Sequence, residues 1–422
     1  MRFAPFLAAV LLLAMPPQDG DPPDRRKQRE LAEQVFEVDR RSAEGISALD
    51  ALLAPLDRVV LQRASERRSW AKRLRDHAED RRTIEKDSGR AWWWEEEQRG
   101  FYIVGGETRK PKGLLIGFHG GGVGSGDAGS AHGAMSSAAK ELGWLGVFPE
   151  VLEKTERGWT DSGTEEWVLE LMEAALRTWE IDPGKVYFAG HSMGGYGSWT
   201  LGAHHADRLA GAAPSAGAPT PVYGPEGTII EIDSGVVPNL RNLPLKVYQS
   251  VDDPNVPPDA NQAAVREVEK AKARWGGYAD FEYWEVDGRG HGLPPGGMLA
   301  LMEKLAPYSR VAVPDKIVWQ PRVTWKRQFH WLWWEAPIRD ALVVAELDRD
   351  ANAVRIESRA DLSGLWVLLD ERVLDLEREV VVTVGGAETW RGVPQQTLGT
   401  LTRTALQGDP ELEFVARVPV RP

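Results

Sequence analysis

The sequence predicts an α/β protein whose central part is a doubly wound, mostly parallel sheet, preceded by a helical region and followed by a small all-β, sandwich-like domain. Residues 91–310 alternate short apolar runs with helical patterns, which is typical of a parallel sheet covered on both faces. Residues 24–90 are charged and helix-favouring, whereas residues 315–422 carry strand-like runs between glycines and prolines. The 422 residues exceed the usual size of one domain, roughly 100 to 200 residues, so several domains are expected.

The helical region has apolar side chains at alternating steps of three and four, as a helix with one buried face requires. They are Ile46, Leu49, Leu53, Leu56 and Val60. Because Pro55 lacks the N–H that an interior position needs, we expect one helix to end near Leu53 and another to begin at Pro55. Two interpretations stay open: a coiled-coil arm or lid, and a helical hairpin packed on the main domain. We favour the second.

Seven apolar runs predict the strands of the central domain. They cover residues 101–104, 114–118, 145–148, 186–188, 210–213, 245–248 and 281–284. Helical patterns between them cover residues 165–179, 196–204, 260–275 and 298–305. The first of these helices follows a candidate capping box, Ser162-Gly163-Thr164-Glu165.

The C-terminal domain is expected to be all-β, because helical patterns stop after residue 313. Its strand-like runs are residues 354–357, 365–369, 380–384 and 412–418. Five tryptophans near its start allow two interpretations, a carbohydrate-binding platform or a packed core and interdomain seam, and we favour the second. They are Trp319, Trp325, Trp331, Trp333 and Trp334.

Charge and composition exclude several partners. The formal net charge of −12 leaves no Lys and Arg excess to neutralise phosphates, so nucleic acid is not an expected partner. The absence of cysteine excludes disulfides, thiolate catalysis and zinc–cysteine sites. No cluster of residues suggests a metal site. The oligomeric state stays open.

The N-terminus, residues 1–20, resembles a secretory signal peptide. Arg2 precedes a short apolar run that ends at Pro16-Pro17, and this run is too short to span a bilayer of about 30 Å. No later stretch approaches ~20 uninterrupted apolar residues, so stable membrane insertion is not expected. We therefore expect an extracytoplasmic protein, periplasmic or secreted.

The strand at residues 186–188 leads into Gly190-His191-Ser192-Met193-Gly194, which fits the Gly-x-Ser-x-Gly nucleophile elbow. A serine on so sharp a strand-to-helix turn is strained, and side chains in place of the glycines would collide with the strand or block the substrate. Ser192 is therefore the candidate nucleophile.

A serine hydroxyl needs a base, and the base needs an orienting carboxylate. In the order Ser, Asp or Glu, then His, the acid should follow a later strand and the histidine a later one still. The loop after residue 249 offers Asp252 and Asp253. It resembles the Asp-Pro-x-Val-Pro segment that carries the triad acid in many esterases, which favours Asp253. The loop after residue 286 offers His291 between two glycines, whereas structural roles are expected for His204, His205 and His330.

The oxyanion of the reaction needs fixed donors, and one should come from a glycine-rich loop after an early strand. Residues 114–118 lead into His119-Gly120-Gly121-Gly122. The backbone N–H of Gly121, with that of Gly120, would join that of Met193. We expect His119 to brace this loop rather than to touch the substrate.

Residues 101–305 thus resemble the α/β-hydrolase superfamily. The stretch from Ile181-Asp182-Pro183-Gly184-Lys185 to Gly195 is similar to the polyhydroxybutyrate depolymerase and feruloyl or acetyl-xylan esterase branch, and also to catalytic domains of the prolyl oligopeptidase family. The resemblance implies triad roles for Ser192, Asp253 and His291, and oxyanion roles for Gly121 and Met193. It does not cover residues 24–90 or the C-terminal domain.

The resemblance implies a serine hydrolase that cleaves carboxylic esters, EC 3.1.1, through an acyl-enzyme and without a cofactor. The expected substrate is a small-molecule or polymeric ester, with carbohydrate-linked esters among the candidates. A serine peptidase of the prolyl oligopeptidase type is the alternative. A catalytically inactive hydrolase-fold binding protein is a hypothesis of a different class.

An NAD-dependent oxidoreductase is a further alternative, because Gly124-Ser125-Gly126-Asp127-Ala128-Gly129 fits the dinucleotide-binding motif Gly-x-Gly-x-x-Gly. Glu150 follows about 20 positions later, as that motif requires. The cofactor turn needs its first glycine at the end of the strand, however, and here His119 to Gly122 occupy that place. We therefore disfavour this alternative.

Overall fold

The computed structural model describes residues 21–85 and 89–421. The predicted signal peptide, residues 1–20, lies outside the described residues. In the part of the chain that is described, no helix is both long and apolar enough to cross a bilayer.

The described residues form helices and strands in three successive regions. The helices are α1 (Arg25–Phe36), α2 (Ala43–Asp57), α3 (Ala64–Glu79), α4 (Ala128–Glu141), α5 (Thr164–Trp179), α6 (Met193–His204), α7 (Asp259–Trp275), α8 (Gly297–Met302) and α9 (Leu398–Ala405). The strands up to residue 286 are β1 (Arg90–Trp94), β2 (Arg99–Gly106), β3 (Gly113–Phe118), β4 (Trp144–Pro149), β5 (Val186–His191), β6 (Gly211–Ser215), β7 (Pro221–Tyr223), β8 (Ile229–Ile232), β9 (Leu245–Ser250) and β10 (Phe281–Val286). The later strands are β11 (Lys316–Trp319), β12 (Gln328–Phe329), β13 (Leu332–Trp334), β14 (Val343–Asp348), β15 (Ala353–Ser358), β16 (Leu365–Leu369), β17 (Val380–Val384), β18 (Ala387–Gly392) and β19 (Ala416–Pro419).

The central sheet has eight strands in the order β1-β2-β4-β3-β5-β6-β9-β10. The pairs β1–β2 and β2–β4 are antiparallel, and all pairs from β4 onward are parallel. Parallel neighbours need crossover connections, and helices α4 to α7 supply most of them. The predicted doubly wound, mostly parallel sheet is confirmed, and all seven predicted strands are present.

The middle strand β5 shows why its sequence is a continuous apolar run. Phe188 packs in a core with residues of α5 and α6, whereas Tyr187 and Ala189 pack in a second core with residues of α4 and α8. Both faces of the sheet are thus covered, and loops at the carboxyl ends of the parallel strands share one edge.

One helix of the central region, α4, was not predicted, and one local prediction needs correction. The capping box is shifted by one residue, because Gly163 is the N-cap of α5 and its N–H donates to the carboxylate of Glu166 at 3.1 Å. Glu165, which the sequence placed in the capping box, is buried instead.

The expected break in the N-terminal helices at Pro55 is wrong, because α2 continues through Pro55 to Asp57. The proline lies in the last turn, where a missing N–H removes a single helical hydrogen bond. Helices α1 to α3 form a core with α9, in which Leu53 packs with Leu401. The N-terminal helices are therefore packed rather than projecting, and α9 is their main partner.

The C-terminal region contains two sheets, β11-β14-β15-β17-β18 and β12-β13-β16-β19. Both are antiparallel except for the parallel pair β15–β17. The expectation of an all-β region missed α9, and only the end of the run at residues 412–418 is a strand, β19. Trp319, Trp331 and Trp334 are buried, and Trp325 stacks on His205 of the central region. The favoured packed-seam interpretation of the tryptophans agrees with these positions.

Candidate active site

Ser192 stands at the sharp turn between β5 and α6. Its φ of 62° and ψ of −124° form a backbone conformation that non-glycine residues seldom adopt. The flanking glycines are required by packing. A Cβ on Gly190 would lie 2.4 Å from the carbonyl oxygen of Gly194, and one on Gly194 would lie 2.2 Å from that of Phe118. The motif therefore has the strained, tightly packed turn of a nucleophile elbow.

Ser192 and His291 lie within hydrogen-bond distance, although they are far apart in sequence. His291 lies in the loop after β10, and its Nε2 is 2.8 Å from Ser192 Oγ. Its Nδ1 is 2.8 Å from Oδ2 and 3.0 Å from Oδ1 of Asp253. Since a carboxylate can only accept, Nδ1 carries the proton and Nε2 is free to accept the proton of the serine hydroxyl.

The carboxylate of Asp253, in the loop after β9, is held in one orientation. Its side chain is fully buried. Oδ1 accepts hydrogen bonds from the N–H groups of Asn255 and Val256, each at 2.9 Å. These backbone donors aim the other oxygen of the carboxylate at His291.

The neighbouring Asp252 is exposed and does not contact His291 among the described hydrogen bonds. Its Oδ1 accepts the N–H groups of Gly290 at 3.0 Å and Arg289 at 3.2 Å, and the hydroxyl of Ser250. The hydrogen bond from Ser250, with that from Gly290, lowers the pKa of the Asp252 carboxyl. Asp252 therefore ties down the backbone of the loop that carries His291.

A buried polar network behind Asp253 was not identified from the sequence. Gln249 Nε2 lies 3.4 Å from Asp253 Oδ2 and donates to the carbonyl of Val256 at 2.9 Å. Gln249 Oε1 accepts from Asn261 Nδ2 at 2.8 Å, and Asn261 Oδ1 accepts from Trp199 Nε1 at 3.1 Å. This network joins α7 and α6 to the loop after β9, and no motif marks its residues in the sequence.

His119 braces the glycine-rich loop, as expected. Its Nδ1 lies 2.8 Å from the carbonyl oxygen of Gly120, and its Nε2 accepts the N–H of Val151 at 3.1 Å. The carbonyl of His119 accepts from Trp159 Nε1 at 3.2 Å. Burial lowers the pKa of His119. A neutral ring with the proton on Nδ1 satisfies both of its contacts.

The candidate oxyanion donors lie beside Ser192. A Cβ on Gly120 would be 3.0 Å from the Cβ of Ser192, so this part of the loop packs directly against the serine. Gly121 has a φ of +145°, and a Cβ there would lie 2.5 Å from the carbonyl oxygen of Ser125. Among the described residues, no hydrogen-bond acceptor pairs with the N–H of Gly121 or of Met193. Both N–H groups are therefore free to bind a ligand oxygen.

His191 is a second imidazole at the site that sequence analysis did not single out. Its Nδ1 lies 3.0 Å from Ser215 Oγ, and its Nε2 lies 3.3 Å from the carbonyl oxygen of His291. Burial, followed by the charge of His291, lowers the pKa of His191. His191 thus contacts the backbone of His291 and helps to position it. In the sequence, only its place next to Ser192 in the Gly-x-Ser-x-Gly motif indicated that it lies at the site.

A polar groove of about 230 Å³ lies along α6, with a lining that begins at Tyr196, one helical turn beyond Ser192; we refer to it as the α6 groove. Tyr196, Thr200 and His204 follow Ser192 at steps of four residues, which places them in one row on the helix. The Tyr196 hydroxyl lies 2.8 Å from Thr160 Oγ1. The groove wall is therefore built from hydroxyls and an imidazole.

Two polar atoms in the α6 groove are buried and have no protein partner, Thr200 Oγ1 and His204 Nε2. The other ring nitrogen of His204 lies 2.9 Å from Glu165 Oε1, and His205 Nε2 lies 2.7 Å from the same oxygen. Although burial opposes it, these two histidines hold the pKa of Glu165 below its usual range. Neither histidine contacts Ser192 among the described hydrogen bonds. The C-terminal region adds Arg322 to the groove.

The residues of the dinucleotide-binding motif serve α4. Asp127 is its N-cap and accepts the N–H of Ser130 at 2.8 Å, and Glu150 accepts the N–H of Ala128 at 3.2 Å. Carboxylates thus occupy the helix N-terminus where the motif would place a pyrophosphate. Within residues 21–85 and 89–421, no three His, Asp or Glu side chains are placed to hold a metal ion.

No family model matches the chain, and no curated protein matches it. Solved structures similar to it include a thermostable esterase, with 20% identity and a TM-score of 0.38 over 50% of this chain and 59% of the esterase. An acetyl xylan esterase from Aspergillus awamori has 12% identity and a TM-score of 0.37 over 49% of this chain and 93% of its own. A phospholipase/carboxylesterase from Dyadobacter fermentans has 17% identity and a TM-score of 0.34 over 48% and 95%.

Because these TM-scores are below 0.5, the fold class rests on this chain's own strand order and connections. The central region is an α/β-hydrolase fold, with a mostly parallel eight-stranded sheet and a Gly-x-Ser-x-Gly turn between β5 and α6. The chain order of serine, aspartate and histidine at its carboxyl edge also agrees with this fold.

Proposed function

We propose that the protein is a serine hydrolase that cleaves carboxylic esters through an acyl-enzyme. The observation that carries the proposal is the hydrogen-bond chain from Ser192 Oγ to His291 Nε2, and from His291 Nδ1 to Asp253, with both links at 2.8 Å. A serine hydroxyl is a poor nucleophile unless a positioned base takes its proton. The short distances from His291 to Ser192 and to Asp253 support these roles as base and orienting carboxylate.

In the proposed reaction, Ser192 Oγ attacks the carbonyl carbon of the ester while His291 Nε2 accepts its proton. The buried carboxylate of Asp253 stabilises the imidazolium that results. His291 then donates the proton to the departing alkoxide, which leaves as the alcohol. In the second half, water attacks the acyl carbon while His291 Nε2 takes its proton. His291 then donates that proton to Ser192 Oγ as the acyl–oxygen bond breaks and the carboxylic acid leaves.

The negative charge of each tetrahedral intermediate falls on the former carbonyl oxygen. The N–H groups of Gly121 and Met193 are the proposed donors, and their lack of protein acceptors supports this role. Gly120 packs against Ser192 and is the second candidate from the same loop. Loss of one such donor typically slows the reaction about 10²–10³-fold.

The α6 groove, which begins one helical turn from Ser192, supports a substrate with a polar part. Thr160 and Tyr196 place paired hydroxyls in its lining, and the unpaired Thr200 Oγ1 and His204 Nε2 are buried just beneath its wall. A long apolar acyl chain would leave these buried groups without partners, which is unfavourable. A hydroxylated group such as an acylated sugar would pair with them. We therefore propose short-chain esters of polar, hydroxylated alcohols as substrates.

The test compares Ser192→Ala with Ser137→Ala, which alters an exposed serine on α4. With p-nitrophenyl acetate, acetylated sugars and a short peptide amide as substrates, Ser192→Ala should lower kcat several orders of magnitude, and Ser137→Ala should retain wild-type turnover. A fluorophosphonate probe should label wild type and Ser137→Ala but not Ser192→Ala. Near-normal ester turnover by Ser192→Ala would overturn the proposal, and faster peptide than ester cleavage would favour the peptidase alternative.

A further inference from the structure

A cavity of about 50 Å³ lies where the N-terminal helices, the central region and the C-terminal region meet; we refer to it as the basic cavity. Its volume is several times the ~10–15 Å³ that one water needs. One carboxylate, Glu173, and six cationic side chains line it. The cations, each at most 15% exposed, are Arg40, Arg41, Arg208, Lys326, Arg327 and Arg403.

Carboxylates outside the basic cavity offset part of this charge. Arg327 Nη1 pairs with Asp50 at 2.7 Å, and Lys326 pairs with Asp207 at 2.7 Å. Glu170 pairs with Arg41, and Asp57 is shared between Arg403 and Arg417. Glu165 lies beside His205 and acts on Lys326, and Arg417 has a second carboxylate, Glu335, so the charges of the wider cluster balance. Only Glu173 is in the lining itself, however, so cations outnumber carboxylates at the cavity wall, where a charge without a close partner is costly.

The guanidinium of Arg40 is buried among the cations of this lining. Its pKa is lowered to about 9, first by burial and then by the like charges of Arg41, Arg81 and Arg208, against the attraction of Glu173. Glu173 also contacts Arg41 and Arg208, so the one carboxylate in the lining is shared by three arginines.

Three N–H donors at the cavity wall have no acceptor. Arg327 Nε and Nη2 and Trp333 Nε1 are buried and unpaired. Arg327 and Arg403 both lie over the ring of Trp333, at 4.9 and 5.5 Å from its centroid. All three unpaired donor atoms therefore belong to the Trp333 indole and to the Arg327 guanidinium that lies over it. Buried donors normally have a partner, so their grouping indicates a missing acceptor.

We propose that the basic cavity binds a small tetrahedral oxyanion, inorganic phosphate or sulfate, through Arg327, Arg403 and the indole N–H of Trp333. Guanidinium forks match the oxygen spacing of such anions and bind them with two parallel hydrogen bonds. An anion would add negative charge beside the cations of the lining and accept hydrogen bonds from the three unpaired donor atoms. Because lining residues come from all three regions of the chain, the bound anion would link them.

The test is a titration of the full chain with sodium phosphate and sodium sulfate, at ionic strength held constant with sodium chloride. Calorimetry should show saturable binding at one site, and the Tm should rise with anion concentration along the same curve. Arg327→Gln should weaken the affinity about 10- to 100-fold, as expected for loss of charged hydrogen bonds. Trp333→Phe, which keeps the ring and removes one donor, should weaken it less and is the safer variant for folding.

Arg349→Gln is the matched control, because Arg349 is partly exposed in the same region and pairs with Asp315 outside the cavity. Its affinity for phosphate should equal that of wild type. The proposal is overturned if wild type shows no saturable heat, if chloride stabilises it as much as phosphate, or if Arg327→Gln and Trp333→Phe both bind like wild type. Ester turnover is not part of this readout, so the result is independent of the proposed catalytic function.

Discussion

The substitution Asp253→Asn replaces one oxygen of a buried carboxylate with an amide nitrogen, and the surrounding hydrogen bonds decide what happens. The N–H groups of Asn255 and Val256 both donate to Oδ1 at 2.9 Å, so the amide oxygen must take that position. The amide NH₂ then faces Nδ1 of His291, which must lose its proton to accept. The proton moves to Nε2, which can no longer accept the proton of Ser192.

The size of the effect follows from the alternative orientation of the amide. Turning the amide over restores the His291 tautomer but aims its NH₂ at the two backbone N–H groups, which lose their acceptor. A buried donor left unsatisfied costs about 1–3 kcal/mol, and since Asn255 is exposed and Val256 half-buried, about 2–6 kcal/mol is the upper limit for the two together. At about 1.36 kcal/mol per factor of ten, kcat should fall about 30-fold to at most about 10⁴-fold. KM should change little, because the substrate does not contact Asp253 in the proposed mechanism.

The assay is p-nitrophenyl acetate hydrolysis, with thermal unfolding to confirm that each variant is folded. Asp252→Asn is the matched control on the adjacent residue. Its amide oxygen can still accept the N–H groups of Gly290 and Arg289, so its turnover should stay within about tenfold of wild type. The reasoning is refuted if Asp252→Asn is the inactive variant or if folded Asp253→Asn retains wild-type kcat.

Three further predictions concern the elbow, a buried histidine and the α6 groove. Gly194→Ala places a Cβ 2.2 Å from the Phe118 carbonyl oxygen and should lower kcat by at least about 10²-fold. Gly133→Ala is the control, because a Cβ at this position on α4 meets open space. It should keep wild-type turnover and be slightly more stable. Burial lowers the pKa of His330 from 6.5 to about 4, so the free energy of unfolding should fall by up to about 3 kcal/mol as the pH drops from 6.5 to 4. Urea titrations should show a smaller fall for His330→Gln. An equal fall in this variant and in wild type would contradict the prediction. Thr200→Val removes a hydroxyl at nearly constant size. The kcat/KM for acetylated sugars, divided by that for p-nitrophenyl acetate, should fall about tenfold in this variant. An unchanged ratio would argue against a polar subsite at Thr200.

The sequence could predict the residues around Ser192 because each carries a local backbone requirement. Gly190 and Gly194 are glycines since any Cβ would strike a carbonyl, and the loop from His119 to Gly121 follows β3 for the same kind of reason. His291 could be chosen by chain order and by its place between two glycines. Each of these requirements involves only a few residues that are neighbours in the chain, so a single sequence is enough to show it.

The choice between Asp252 and Asp253 needed three-dimensional information. Both follow β9, both carry the same functional group, and both accept backbone N–H groups in the structure. They differ in burial and in contact with His291: the Asp253 side chain is fully buried against the imidazole, whereas Asp252 is exposed. Both differences depend on where the loop after β10 lies relative to the loop after β9. The resemblance to an esterase segment favoured Asp253, but the residue types alone did not.

Helices α4 and α9 escaped prediction for different physical reasons. Helix α4 buries mainly alanines, such as Ala131 and Ala139, so its apolar face is made of small side chains with a weak periodic signal. Helix α9 buries threonines as well as leucines, and Thr402 and Thr404 bond back to carbonyls one turn earlier. Threonine favours strands on average, so tertiary packing against α2 and α3 decides its conformation here.

The segment from Arg322 to Trp334 gives the C-terminal region a direct part in both proposed sites. Arg322 reaches the α6 groove and pairs with Asp233 of the central region at 2.9 Å, while Arg327 and Trp333 line the basic cavity. One short, tryptophan-rich segment therefore contacts the wall that would receive substrate and the junction where the three regions meet. Arg322 is held in the groove by Asp233 and Ser234 of the central region and by Asp340 of the C-terminal region. Substrate preference is then expected to depend on residues of the C-terminal region, even though the proposed nucleophile, base and acid all belong to the central sheet.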